Sequence, residues 1–302
     1  MTARPRDQLH DVELVRRVAA DFREYMVRRS RFGGQIPSAG KQLIQRAAEA
    51  IAALCSTQLP VDVTSAARLL AVAIEFRSQQ PHGSQLGKLV PTRGGFITSV
   101  YGQTRDLDGP PSVEVGGSPE VVLTTQGRFT LAHELAHCLF FSPTVDGEVP
   151  TRLIPAATDR EGRWREEGLC HDFARALLLP STATQFVARD ASPAAIVAGA
   201  RAFAVSKEVF LRRVLYDWNL WTDTSVLHVS LFQTPPRLQR LCGAHAPRAR
   251  RGLLRVLSEE FDEPGRNWTP TDVAMTLQRR AGCTRGAMLV TSREVWALVA
   301  RE

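Results

Sequence analysis

The segment His133-Glu134-Leu135-Ala136-His137 constrains this chain more than any other. Two histidines four residues apart share one face of a helix, with β-carbons about 6 Å apart, so both imidazoles can reach a single metal ion with Glu134 beside them. The flanking residues predict that helix. Leu131, Ala132, Leu135, Ala136, Leu139 and Phe140 recur at helical spacing, and Val121-Val122-Leu123-Thr124-Thr125 just upstream reads as a strand. If the pattern were accidental, two imidazoles and a carboxylate would sit on an otherwise strongly apolar helix, where unpaired polar groups are costly to bury.

The residue types match one chemistry. Zinc accepts imidazole nitrogens and carboxylate oxygens, and a catalytic site keeps three protein ligands and one open position. The ion brings the pKa of water from about 15.7 to near 7 and polarises a carbonyl, while a carboxylate takes the proton and returns it. Glu134 is the carboxylate for that role, and His133 and His137 are the first two ligands. The five-residue pattern by itself arises by chance in roughly one chain in a hundred of this length, so its context decides.

Asp146, Glu148, Asp159, Glu161, Glu166, Glu167 and His171 follow the motif and are the candidates for a third ligand. Most lie between Phe141 and Gly162, a Pro- and Gly-punctuated stretch that reads as a loop and positions side chains poorly. Trp164 to Leu179 reads instead as a helix stopped by Pro180. On it Glu167, Cys170, His171, Ala174 and Leu178 share a face, while Glu166 shares one with Cys170, Phe173 and Leu177. Periodicity does not separate the two glutamates, and both also suit the acidic start of a solvated helix.

These two helices resemble those of the ImmA/IrrE-type zinc metallopeptidases. That family's pattern runs R-F-T-x-A-H-E-x-x-H, then E-x-x-A-N-x-F-A-x-x-L-L-M-P on a second helix; here Arg128 to His137 and Glu167 to Pro180 are similar to the two parts. The resemblance implies Glu167 as third ligand and Zn2+ as cofactor. Leu59-Pro60-Val61-Asp62-Val63, followed by Ala67 to Leu70, resembles the family's lead-in strand and first short helix, so matching features span roughly Ile36 to Trp221. Ala136 stands where the family carries Gly, a change that favours the helix. Cys170 and His171 replace Ala-Asn; His171 could orient a ligand, titrate near neutral pH or compete for the metal, and a histidine beside the coordination sphere or in the core is expected ahead of a fourth protein ligand, which would close the catalytic position.

Composition agrees with a folded chain: 302 residues, 44% hydrophobic and 23% charged. No apolar run approaches a membrane span and Met1 to His10 has no signal-peptide core, so the expected location is the cytoplasm, without membrane contact. Cys55, Cys138, Cys170, Cys242 and Cys283 form no C-x-x-C pair and suggest neither disulfides nor a zinc ribbon; Cys138 and Cys170 read as small core residues. The net charge of +7 is carried almost wholly by arginine, Lys41, Lys88 and Lys207 being the only lysines, which reads first as genome composition. It favours acidic partners without being a nucleic-acid signature.

Asp11 to Arg29 places Val15, Val18, Ala19, Phe22 and Met26 on one face of a basic helix that Gly33-Gly34 breaks; docking on the body is the simplest reading, ahead of membrane or nucleic-acid contact. Lys41 to Leu54 reads as a helix, and Thr64 as the cap of the next short one. Leu86 to Val90, Gly95 to Tyr101, Ser112 to Val115 and Glu120 to Thr125 are strand candidates. Ile196 to Ala202, a turn, and Ser206 to Trp218 resemble a helix-turn-helix, with core packing of Val209, Val214 and Leu215 as the plainer alternative. Leu227 to Phe232 reads as a strand, Ala246 to Arg251 as a basic turn, Thr269-Pro270 to Gly282 as a capped helix, Met288 to Val290 as a final strand, and Val295 to Val299 as a short helix.

The expected fold is α+β: a zincin-like metallopeptidase with a small antiparallel sheet, two zinc-bearing helices and an additional C-terminal α/β segment. The expected organisation is a basic N-terminal helix over 1–35, the metallopeptidase body over 36–224 with the helix-turn-helix-like segment at 192–218, and a C-terminal portion over 225–302. The expected activity is that of a zinc endopeptidase. The resemblance implies a protein substrate, a helix-turn-helix (Xre-like) repressor of phage, mobile-element or stress-response genes, whose cleavage would release transcription. The alternative is a non-enzymatic DNA-binding or toxin-antitoxin-type regulator with a structural zinc centre; Glu134 argues for the enzyme, since a structural site needs no general base, and DNA contact is the lesser reading.

Overall fold

The computed structural model describes residues 5–30, 38–55, 58–77, 88–104, 121–153, 160–232, 235–244, 253–262, 266–283 and 285–299. The strand expected at Ser112 to Val115, the break at Gly33-Gly34, Asp159 and the turn at Ala246 to Arg251 lie outside them. The chain is mixed α+β, and its contacts divide it into two compact units: Met1–Ser181 with Phe203–Ser206, and Thr182–Ala202 with Lys207–Glu302. Most of the helix-turn-helix-like segment at 192–218 thus falls in the second unit, together with residues 225–302.

The first unit opens with helix α1 (Pro5–Ser30) and helix α2 (Ser38–Cys55). α1 buries Val15, Ala19 and Phe22, and the Phe22 ring meets Phe140 edge-on at 5.5 Å, so this helix docks on the body as its apolar face predicts. α2 buries Gly40, Ile44, Ala47, Ala48, Ile51 and Ala52, a stripe at i, i+4, i+7 and i+8. Helix α3 (Val63–Leu69) is capped by Asp62, whose carboxylate accepts from the Thr64 N–H at 2.9 Å and the Thr64 hydroxyl at 2.7 Å. Asp62, and not Thr64, is the cap. The lead-in strand expected at Leu59 to Val63 is absent there: Pro60 has no N–H for a ladder, and the Asp62 side chain competes for local backbone donors.

The first strand follows α3 instead. Strands β1 (Val72–Arg77), β2 (Val90–Thr92), β3 (Gly95–Thr104) and β4 (Val121–Leu123) form one sheet in the order β1-β3-β2, with β4 also paired to β3. β3 runs antiparallel to β2 and β4 but parallel to β1, so the sheet is mixed rather than antiparallel. Its corner is tight. Phe96 N–H donates to the Ala71 carbonyl at 2.9 Å, and a β-carbon on Gly95 would lie 2.3 Å from that oxygen, so only glycine fits the approach.

Helix α4 (Thr125–His137) begins where Thr124 accepts from the Gly127 N–H at 3.0 Å. Helix α5 (Arg160–Leu178) packs against α2 and α4, burying Leu169, Cys170, Phe173, Ala174, Leu177 and Leu178.

The second unit contains helix α6 (Pro193–Ala202), helix α7 (Lys207–Arg212) continued by a π-helical turn at Arg213–Asp217, strands β5 (Ser225–Ser230) and β6 (Arg237–Cys242), helices α8 (Leu253–Phe261) and α9 (Pro270–Ala281), and strands β7 (Met288–Val290) and β8 (Glu294–Val299). α6 and α7 meet so closely that a β-carbon on Gly199 would be 2.1 Å from the Phe210 ring. The four strands form an antiparallel sheet in the order β6-β5-β8-β7. Leu227, Val229, Val295 and Ala297 pack on Leu257, Phe261, Val273 and Leu277 of α8 and α9.

Residues 295–299 are therefore strand, not the short helix expected. Val295 and Ala297 face the α8–α9 core while Trp296 stacks on His228 at 3.7 Å, a period-two alternation stabilised by pairing on both edges. α9 follows its sequence signals: Thr269 and Asp272 form a capping box, and Gly282 ends it at φ 66°.

Candidate metal centre

α4 and α5 lie side by side in the first unit, and their facing residues build one polar cluster in an apolar setting. Leu131, Ala132, Leu135 and Ala136 are buried on α4, so the helix is anchored by apolar residues just before and between its histidines. That packing turns His133 and His137 to the same side, with ring centroids 5.2 Å apart.

α5 supplies the carboxylates. Glu167 Oε2 lies 2.9 Å from His133 Nε2, and its Oε1 lies 3.8 Å from His137 Nε2, so one carboxylate spans both imidazole nitrogens. Glu166 takes a different place: its Oε1 is 3.0 Å from His137 Nδ1, the nitrogen on the other side of that ring, while its Oε2 accepts from Arg152 Nη2. Glu134 is buried and accepts a hydrogen bond from the Leu89 N–H at 3.0 Å. His171 is exposed; its ring stacks on Phe129 and sits 4.8 Å from that of His133. Cys170 is fully buried, its Sγ 3.6 Å from His137 Nδ1.

Electrostatics follow this placement. Burial pushes the Glu134 carboxyl above its ordinary range, against the pull of His137, His133 and the Leu89 N–H. Burial lowers the His137 imidazole, but the Glu166 hydrogen bond and the negative charges of Glu134, Glu166 and Glu167 outweigh it, so the net shift is upward. Burial would raise Glu166, yet its hydrogen bonds to His137 and Arg152 hold it below the usual carboxylate range. The His133 hydrogen bond holds Glu167 low as well. Burial drives the Cys170 thiol well above its ordinary value.

His133, His137 and Cys170 offer donor atoms within 4.8 Å of one another, so the described residues include a group able to hold a metal ion. Glu167 adds an ionised carboxylate with one oxygen towards each Nε2 atom. Two imidazole nitrogens and a carboxylate are donors that divalent transition metals accept, zinc among them. Cys170 approaches His137 from the ring nitrogen that Glu166 already occupies.

His133, Glu134, His137 and Glu167, singled out from sequence, are thus brought together, with His171 beside them. Sequence reasoning missed Arg152 and the Leu89 N–H. Arg152 sits in a stretch that reads as an ordinary loop, yet that stretch is tied down. Phe141 pairs with Arg152 in a β-bridge, Ser142 N–H donates to the Thr151 carbonyl at 2.8 Å, and Gly94 N–H donates to the Glu148 carbonyl at 2.7 Å. A backbone donor such as Leu89 N–H carries no sequence signal. Asp146 and Glu148, also weighed as ligands, are exposed on that loop. No protein-family model matches this chain, and no curated protein matches it.

Proposed function

We propose that this protein is a zinc-dependent endopeptidase of the zincin-like, ImmA/IrrE type. The observation that carries the reading is the Glu167 carboxylate spanning the Nε2 atoms of His133 and His137 while Glu134 stands buried on the same helix. His133, His137 and Glu167 would hold the ion. When bound, zinc supplies a Lewis acid for the scissile carbonyl and makes water nucleophilic near neutral pH. Glu134 takes the proton from the attacking water and delivers it to the departing amine. Its buried carboxylate, made more basic by desolvation and fixed at Oε2 by the Leu89 N–H, suits that role. His171, beside His133, would help to hold that ring. Cys170, neutral and turned to His137 Nδ1, stays outside the ligand set.

The substrate class follows from the family resemblance: a helix-turn-helix repressor of phage, mobile-element or stress-response genes, cut at an extended segment. Among the described residues β2 lies at an edge of the first sheet, and Val90 there is 43% exposed, which supports strand addition by such a segment.

Replacing Glu134 by Gln tests the mechanism. The amide keeps the shape and the Leu89 contact but cannot accept a proton. Zinc content and fold are expected to persist while cleavage of a candidate repressor, followed by mass spectrometry of fragments, falls by about 10² to 10⁴-fold. Cleavage at the wild-type rate would remove Glu134 from the reaction.

A further inference from the structure

We propose that Arg152 and Glu166 are positioning residues that couple the loop Ser142–Arg152 to the metal centre, so that metal uptake and ordering of this loop reinforce each other. The inference rests on the metal reading above and concerns residues that do not touch the ion.

The loop leaves the end of α4 and returns beside it, closed by the Phe141–Arg152 bridge and the Leu153 N–H bond to the Phe140 carbonyl at 3.0 Å. Arg152 is gripped on two sides. Its guanidinium lies 5.6 Å from the centre of the Phe141 ring, which itself meets Phe96 of β3 edge-on at 5.4 Å. On its other side it donates to Glu166 Oε2, and Glu166 Oε1 meets His137 Nδ1 at 3.0 Å. A continuous path therefore runs from the sheet through Phe141, Arg152 and Glu166 to a metal-facing imidazole.

The direction of the effect follows from tautomer chemistry. A carboxylate on Nδ1 holds the proton there, which leaves Nε2 with its lone pair on the side where Glu167 lies, and makes the ring a better donor. Arg152 keeps Glu166 aimed at that nitrogen. The two imidazoles are not treated alike: His133 Nδ1 has no hydrogen-bond partner among the described residues. The His137 half of the pair is thus tied, through Glu166 and Arg152, to a loop that also contacts the β2–β3 turn by the Gly94–Glu148 bond and exposes Val145 and Val149. If loop order strengthens metal binding, metal binding must strengthen loop order to the same extent.

The test measures zinc affinity by chelator competition, together with amide hydrogen exchange at Ser142, Thr151 and Leu153 with and without zinc. The panel is wild type, Glu166→Ala, Glu166→Gln, Arg152→Ala and Arg152→Lys. Zinc is expected to slow exchange at these amides in wild type and not in Arg152→Ala. Glu166→Ala should lose roughly 10- to 100-fold in zinc affinity, Glu166→Gln less because its amide oxygen still accepts from Nδ1, and Arg152→Lys should recover part of what Arg152→Ala loses. Unchanged affinity in Glu166→Ala, or zinc-dependent protection persisting in Arg152→Ala, overturns the proposal. Should Glu166→Ala fail to fold, a Gln variant matching wild type in both readouts overturns it equally. A wild type that takes up no zinc overturns the metal reading as well.

Discussion

Glu166 and Glu167 are adjacent in sequence and about 100° apart around a helix, and that rotation separates their chemistry. One faces the Nε2 atoms of both histidines, the other a single Nδ1 and an arginine. Periodicity showed that both start a helix with mixed faces; only the packing of α5 on α4 decides which face meets which nitrogen. The upward shift of His137 has a measurable sign. Zinc requires the neutral ring, so a proton competes for it up to the raised pKa, while Glu167 is already ionised. Zinc affinity should therefore keep rising with pH beyond the ordinary imidazole value of about 6.5, by about tenfold per unit for each proton displaced. Chelator competition across that range checks this, and an affinity that levels off at or below the ordinary value would contradict it. In the metal-free protein the linkage has the opposite sense: the stability from protonated His137 is fully present below its unfolded pKa and lost as pH rises through the raised folded value.

Among elements, those with a helical period and a chemical signature were the most legible. α4, α5 and α9 lie where apolar spacing, the Pro180 stop, and the Thr269-Pro270 start with its Gly282 end put them. β8 was misread because a short apolar run does not distinguish helix from strand, and its partners β5 and β7 are contacts that the local sequence does not encode. The 141–153 loop was read as poorly positioned, since its order comes from long-range bonds to β3, α5 and the β2–β3 turn. α1 was legible as an amphipathic helix, and its apolar face has a consequence for stability. Phe22 is fully buried and meets Phe140, three residues beyond His137. Phe22→Ala is expected to cost about 3–5 kcal/mol, read by denaturant unfolding of the metal-free protein. A change below about 0.5 kcal/mol, the range of surface substitutions, would mean that α1 does not anchor the body.

At the scale of the whole molecule, the metal cluster lies within the first unit, and the helix-turn-helix-like pair mostly in the second. In the latter, Phe210, Leu211, Val214 and Leu215 are buried and Arg213 pairs with Asp217 at 3.6 Å, so much of the second helix is taken up by packing. Among the described residues no helix is long and apolar enough to cross a membrane. The +7 charge does not by itself mark a partner. The mixed α+β class was readable from element order; the parallel β1–β3 pair was not, because it joins strands that are not consecutive, with β2 between them in sequence. The central claim is that one zinc ion is held by His133, His137 and Glu167. Its most direct measurement is the metal content of purified wild type, Glu167→Ala and Cys170→Ala after exposure to zinc and removal of excess. The account predicts one zinc per chain in wild type and in Cys170→Ala, and loss in Glu167→Ala. Zinc retained by Glu167→Ala and lost by Cys170→Ala would contradict it and make the buried thiol the third ligand.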